Sequence, residues 1–482
     1  MNNSKIESSC FKGGYFIYQN ENHQNDYITK DELKITLKNV HSIKKSIISL
    51  LRNAKTNIKL CSFVLSDPEI YSELNSILNE RKIAVFILTQ LDQSRMSTSF
   101  LVDEENSENF SQNHIDYISK LYANGAHIRA AKFAHAKFII VDNKEALLMS
   151  ANITPPSLNE NPESGVIIEQ RESIDSLVKL FDIIFQYGTE YTRFKVASKD
   201  KQFVVSRDST LKPEWLKKLP DSNIKFTWGE SEQSLYYELI NLINNGNANG
   251  RVLVSTYSVV GLEKIPDFID AIKGYIQRGG KVVLFCRGMN YRSDHLKNCT
   301  LLKELGVEIY GDLFNHSKGL INDESGFIFT ANIDGNHGLI NGFEVGCILE
   351  KKQKDSLEEF IEWQIENAPF KFQMNPNKDD FFNTYTFYAN CKGINPLELP
   401  KSIVFIVSNP KLEIELQNYP IYVLLDNSKT VRNINVGNSF YSVKMDDNQI
   451  EIVGKINRVY NMETYLLQTN DITINVKNKI VQ

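Results

Sequence analysis

Two octets of this 482-residue chain could do chemistry: His135-Ala136-Lys137-Phe138-Ile139-Ile140-Val141-Asp142 and His316-Ser317-Lys318-Gly319-Leu320-Ile321-Asn322-Asp323. Both read His-x-Lys-x4-Asp. Alternate side chains of an extended segment share a face, so His135 projects with Lys137, in line with Ile139 and Val141, and His316 projects with Lys318. Imidazole titrates near neutrality and can serve as base or nucleophile when neutral and as acid when protonated. A lysine beside it brings ammonium donors to an anionic group with no metal ion. One such octet is a strand that starts with polar residues. Two of them, in a chain with eight histidines, are a repeated site.

The octets are the visible part of a longer duplication. Gly125 precedes His135, and Gly306 precedes His316, at the same offset. Each repeat there reads as helix, C-terminal glycine, strand, connector and then the histidine strand. Downstream, "MSANIT" supplies Ser150 and Asn152, and "FTANID" supplies Thr330 and Asn332. Glu163 then follows His135 at the interval by which Glu344 follows His316, each with a glycine (Gly165, Gly346) two residues on. Upstream, each repeat carries two more helix-then-strand patterns. Alternating units of this kind predict an α/β fold with mixed, mostly parallel sheets covered by helices.

The repeats place a first lobe at 35–200 and a second at 224–368, joined by a polar linker at 201–223, with residues 1–34 as an N-terminal extension. From 369 to 482 the chain turns to short β-rich runs broken by Asn, Pro and Asp, which predicts a small β-rich C-terminal domain. The segment 92–113 is a long polar loop and a candidate lid. "KPEWLKKLP" reads as a linker helix, with dipping of its tryptophan into a headgroup layer as the alternative. The formal net charge of −5 gives no global basic signature, although nucleic-acid binding needs only a local patch. No apolar run is long enough to span a bilayer, and the first residues have no signal-peptide core. Six scattered cysteines without a CxxC pair point to free thiols in a reducing cytosol. A cytoplasmic protein without a structural zinc is the expectation. His23, His41, His114, His127, His295 and His337 are expected on the surface or in the core, as are Trp228 and Tyr257; "GNHG" at 335–338 reads as a turn.

Two His-x-Lys-x4-Asp motifs, each followed by Ser/Thr-x-Asn and then Glu-x-Gly, resemble the phospholipase D superfamily over roughly residues 40–350. The resemblance implies a phosphodiesterase with no cofactor and no metal. Breaking a phosphodiester needs a nucleophile, a proton for the leaving oxygen and positive charge on the non-bridging oxygens. Lys137 and Lys318 supply the charge. Ser150, Asn152, Thr330 and Asn332 are expected to hydrogen-bond the phosphate. Glu163 and Glu344 fit the carboxylates that orient the imidazoles. Asp142 and Asp323 fall on the opposite strand face and are expected to be structural, closing the turns "DNKE" and "DESG".

The superfamily mechanism implies a covalent phosphohistidine on one histidine while the other acts as acid, then base. By that analogy His135 is the nucleophile and His316 the acid/base; the residues themselves do not rank the two. Both half-sites lie in one chain, so an oligomer is not needed to build the centre. The superfamily cuts nucleic acids and also cleaves or transfers phospholipid head groups, and fold does not choose between them. The first reading is an intracellular nuclease acting on DNA or RNA, with bacterial defence as one setting. The alternative is a phospholipase D or a cardiolipin synthase-like phosphatidyltransferase. A third is an inactive nucleic-acid-binding module, disfavoured by two intact motif sets. The motif aspartates argue against the branch that repairs protein–DNA adducts.

Overall fold

A computed structural model describes residues 14–19, 26–91, 108–131, 134–190, 193–196, 201–204, 208–288 and 293–376, single residues between 380 and 387, and five short C-terminal strands. The chain divides into two compact units, one of residues 25–286 and 314–364, the other of residues 1–24, 287–313 and 365–482.

The first of these units holds both octets. Its N-terminal half runs β1 (Lys34–Leu37), β2 (Val40–His41), α1 (Ser42–Asn53), β3 (Asn57–Cys61), α2 (Pro68–Ser76), β4 (Ala84–Thr89), α3 (Glu108–Ala123), β5 (His127–Ala130), β6 (Phe138–Val141), β7 (Glu145–Met149), β8 (Glu163–Ile168) and α4 (Arg171–Ile183). The strands form one sheet in the order β2-β1-β8-β7-β6-β3-β4-β5. Its second half contains β9 (Ile224–Trp228), β10 (Glu232–Gln233), α5 (Ser234–Asn244), β11 (Arg251–Ser255), α6 (Pro266–Gln277), β12 (Lys281–Arg287), β13 (Gly319–Ile321), β14 (Gly326–Phe329), β15 (Phe343–Ile348) and α7 (Lys351–Glu366). There the strand order is β12-β11-β13-β14-β15-β9-β10.

The same physical pattern builds both halves. Helix α1 buries Ile43, Ile47, Leu50 and Leu51, and α5 buries Leu235, Leu239, Leu242 and Ile243. Each list follows the i, i+4, i+7, i+8 spacing of one helix face. A fully buried side chain of this type contributes about 1.5–3 kcal/mol, so each helix is held mainly by its sheet. The helices before the histidine segments end at Gly125 (φ +99°) and Gly306 (φ +104°), where a side chain would be strained and glycine is not.

The sheets are mixed, but their parallel share is smaller than the repeat pattern predicts. Among the described strands of this unit, β3–β4, β4–β5 and β11–β12 pair parallel, as does the short pair Val259–Val260 with Ile333–Asp334. The meander β3–β6–β7–β8–β1 and its counterpart β11–β13–β14–β15–β9 pair antiparallel throughout. The reason is local: three residues separate β6 from β7, and only an antiparallel hairpin closes so short a loop. Asp142 and Asn143 take left-handed conformations there (φ +56° and +54°), which Asp and Asn tolerate better than other side chains.

In the other unit, Gly14–Tyr18 pairs antiparallel with Phe370–Met374, which also pairs with Glu308–Asp312. Residues 14–18 fall in the segment read as an N-terminal extension, and 287–313 in the stretch read as the second lobe. The C-terminal strands Tyr422–Leu425, Val431–Val436, Ser439–Asp446, Gln449–Ile456 and Thr473–Asn475 form a separate sheet in that order. Most of the candidate lid, residues 92–107, lies outside the described residues; its last part already belongs to α3. An antiparallel strand pair joins the end of the first lobe, Arg193–Val196, to the start of the linker, Lys201–Val204, and the linker also holds a short helix, Pro213–Leu216. Trp215 of that helix packs edge-on against Tyr187 and under the Lys212 ammonium.

Candidate active site

His135 and His316 lie just before β6 and β13, in extended segments outside the regular strands. Each segment is pinned across the pseudo-symmetry. The His135 amide donates to the Phe343 carbonyl at 3.2 Å, and the His316 amide donates to the Pro162 carbonyl at 2.9 Å. Phe343 precedes Glu344, and Pro162 precedes Glu163. The backbone contacts thus set each histidine against the glutamate of the opposite repeat.

The side chains complete that crossing. His135 Nδ1 donates to Glu344 Oε1 at 2.5 Å, and His316 Nδ1 donates to Glu163 Oε1 at 2.7 Å. Both carboxylates are buried, and each meets its ring through Nδ1, which fixes the ring's orientation. The second carboxylate oxygens are held too: Thr330 Oγ1 donates to Glu344 Oε2 at 2.5 Å, and Ser150 Oγ donates to Glu163 Oε2. Ser150 and Thr330 were expected on the substrate phosphate. Their hydroxyls are instead committed to the glutamates, because a buried carboxylate needs donors on both oxygens.

Lys137 and Lys318 are fully buried. Each ammonium folds back onto the carbonyl of its own histidine, Lys137 at 2.5 Å and Lys318 at 2.7 Å. Lys137 Nζ is also 3.1 Å from both ring nitrogens of His135. Burial by itself would raise the Glu344 carboxyl; the charge and hydrogen bond of His135, the Lys137 ammonium and the Thr330 hydroxyl outweigh it and hold the group below its ordinary value. Two ammonium groups and two carboxylates balance.

Asn152 and Asn332 follow β7 and β14; Asn152 is buried and Asn332 half-buried, and Asn332 Oδ1 takes no hydrogen bond from the described residues. Asp142 sits away from the histidines. It accepts from the amides of Lys55, Thr56 and Asn57 and from the Thr56 hydroxyl, at 2.7–3.1 Å, tying the β6–β7 turn to the start of β3. Asp323 faces the equivalent place, with the Arg251 amide at 3.4 Å.

The structure also brings in residues that the motifs did not single out. Phe63 packs edge-on against His135, centroids 5.3 Å apart, and Tyr257 packs edge-on against His316 at 5.6 Å. Tyr257 is buried as expected, but beside the site. The signal was present: "CSFV" and "STYS" occupy equivalent places after β3 and β11. His114 is a core histidine. Its Nδ1 accepts from the Leu65 amide at 3.0 Å and its Nε2 lies 3.2 Å from the Gln90 carbonyl, which anchors the loop carrying Phe63. In the other unit, His295 has Cys299 one helical turn on, Sγ 3.7 Å from Nδ1. Trp228 packs edge-on against Phe343.

Two half-sites of one design, each built on a helix-backed mixed sheet, define a duplicated two-histidine fold. Residues 47–185 match the family described as "Cardiolipin synthase, PLD-like domain", a likeness to the phospholipase D superfamily over that part of the chain. It is 25% identical to the mitochondrial cardiolipin hydrolase of Canis lupus familiaris over 150 residues, 31% of this chain and 53% of that protein. The Homo sapiens protein of the same name is 24% identical over 150 residues, 54% of its length. The chain thus spans about half the length of the curated relatives it matches. Phosphatidylserine synthase from Haemophilus influenzae is a fold neighbour at TM-score 0.51 and 14% identity, covering 77% of this chain and 90% of that one. No helix among the described residues is long and apolar enough to cross a membrane.

Proposed function

We propose that the chain is a phosphodiesterase that works through a covalent phosphohistidine. The observation that carries this reading is the crossed pair of imidazole contacts to buried carboxylates, flanked by two buried lysines. His135 Nε2 attacks phosphorus, and the leaving alkoxide oxygen takes the proton from His316 Nε2. Water, or an acceptor alcohol, then gives its proton to His316 as its oxygen bonds to phosphorus. The N–P bond breaks, and its electron pair returns to His135. Lys137, Lys318, Asn152 and Asn332 stabilise charge on the non-bridging oxygens. Every one of these groups is supplied by the protein, and activity in chelator is the expectation.

Phospholipid is the substrate class with the firmer support, because the curated relatives matched over 150 residues are named as cardiolipin hydrolases. Nucleic acid is the second class, from the range of the superfamily. Purified protein incubated in chelator with cardiolipin-containing vesicles, single- and double-stranded DNA, and RNA separates the two. Head-group or phosphatidyl release supports the first; strand cleavage supports the second. His135→Ala and His316→Ala should each abolish it. Activity that survives either substitution, or that appears only with added magnesium, overturns the mechanism.

A further inference from the structure

The two half-sites match in their reacting groups but differ in what lies beneath them. Behind His316, Asn315 Nδ2 donates to the Thr256 carbonyl at 2.9 Å and to Ser255 Oγ at 3.3 Å. Asn315 Oδ1 accepts from Ser317 Oγ at 2.8 Å, from the Ser317 amide at 3.2 Å and from Gln364 Nε2 at 3.1 Å. Ser255 and Ser317 hydroxyls lie 2.8 Å apart. All four side chains are buried. Alternation along an extended segment puts Asn315 and Ser317 on the backbone face opposite His316 and Lys318.

Among the described residues of the first repeat the places of Asn315 and Ser317 hold no such network, and the Ser62 carbonyl, counterpart of that of Thr256, takes its hydrogen bond from Thr89 Oγ1 at 2.7 Å. Sheet register equates Cys61 with Ser255, because Cys61 pairs with Phe138 and Ser255 with Gly319, each three residues past its histidine. Ala134 and Ala136 stand where Asn315 and Ser317 stand. His135 thus rests on alanine, alanine and a buried thiol. Its side chain is 17% exposed, against 1% for His316.

We propose that Asn315, with Ser255, Ser317 and Gln364, is a positioning brace that makes the half-sites unequal: it holds His316 as the fixed acid/base through both steps, leaving His135 as the histidine that is phosphorylated. A fully satisfied buried network locks backbone geometry, and the Asn315 bond to the Thr256 carbonyl also fixes the residue next to Tyr257, whose ring borders His316. An acid/base group must keep its aim through two successive proton transfers. A nucleophile must instead follow phosphorus as the bond forms, which suits the more exposed ring. This inference rests on the phosphohistidine reading above and deepens it.

The test uses bis(4-nitrophenyl) phosphate. In step one the His135 Nε2 lone pair forms the N–P bond, and the P–O electron pair leaves with 4-nitrophenolate, which needs no proton. In step two water bonds to phosphorus, its proton passes to His316 Nε2, and the N–P pair returns to His135. Asn315→Ala should therefore keep a burst of nitrophenolate near that of the wild type but slow steady-state turnover roughly tenfold or more, with KM little changed. Phosphate on the His135 peptide should accumulate in quenched samples. Ser317→Ala, which restores the residue of the first repeat, should show the same pattern to a smaller degree and carries the test if Asn315→Ala fails to fold. Burst and steady state falling together, wild-type turnover in both variants, or phosphate on His316 would overturn the brace. A wild-type protein that gives neither nitrophenolate nor a covalent adduct would sink the phosphodiesterase reading itself.

Discussion

Glu344 holds His135 through a 2.5 Å contact between residues 209 positions apart in the chain. Glu163 holds His316 in the same way from the opposite repeat. Each histidine takes its carboxylate partner from the opposite repeat.

Replacing Glu163 with Gln keeps the shape of the buried side chain but removes its charge. The His316 ring then loses the partner that fixes its tautomer and stabilises its protonated form. Turnover should fall by about 10²–10⁴-fold, while the melting temperature moves much less than that loss suggests. Steady-state kinetics beside thermal unfolding checks this; near-wild-type turnover with a large drop in melting temperature would reject the orienting role.

Asp142 should report on fold rather than chemistry. Burial would raise its carboxyl, but hydrogen bonds from Thr56, Asn57 and Lys55 outweigh it and hold the group below the usual range. A depressed folded value contributes stability above the unfolded pKa of about 3.9, and that stability is lost as pH falls through the folded value. Asp142→Asn should lower the melting temperature at pH 7 by roughly 2–4 °C. The gap should close in acid, and turnover of the folded fraction should be unchanged.

His114 gives a second acid-sensitive element. Burial lowers it to about 4, against the opposing hydrogen bonds to Gln90 and Leu65. Its folded value is thus below the unfolded value of about 6.5. The stability tied to its neutral form is complete above that unfolded value and is lost as pH falls toward 4, on the order of 3 kcal/mol in total. Denaturant unfolding of the wild type and His114→Gln between pH 7 and 4 should show a shallower loss in the variant. Parallel pH slopes would show that His114 does not carry the effect.

Gly125 isolates a backbone cost. An added Cβ there meets nothing within 4 Å, yet φ is +99°. Gly125→Ala should destabilise the chain by about 1–2 kcal/mol, measured as a lower denaturant midpoint with unchanged slope. An unchanged midpoint would mean that the helix end relaxes freely.

Much of this was legible in the residues because the repeat doubles every signal. "FIIV" is a buried strand from its branched, apolar side chains, and the glycines at 125 and 306 mark helix ends whatever the tertiary setting. The crossing of the glutamates was not legible: equal intervals pair Glu163 with His135 on paper, and only the packing of the repeats decides which imidazole each carboxylate meets. The antiparallel meander could have been read from the three residues between Val141 and Glu145. The helical repeat pattern around it argued for parallel strands and carried more weight. The commitment of Ser150 and Thr330 to carboxylates follows from the burial of those carboxylates, which spacing does not reveal.

The backbone bonds from His135 to Phe343 and from His316 to Pro162 have an evolutionary corollary. A substitution that displaces either donor strand is felt first by the partner repeat, so the duplicated segments cannot drift apart independently at these positions. Complementation between separately expressed halves would require both reciprocal seams to re-form together, and a hybrid that joins halves from diverged relatives should fail unless histidine segment and glutamate strand are exchanged as a matched set.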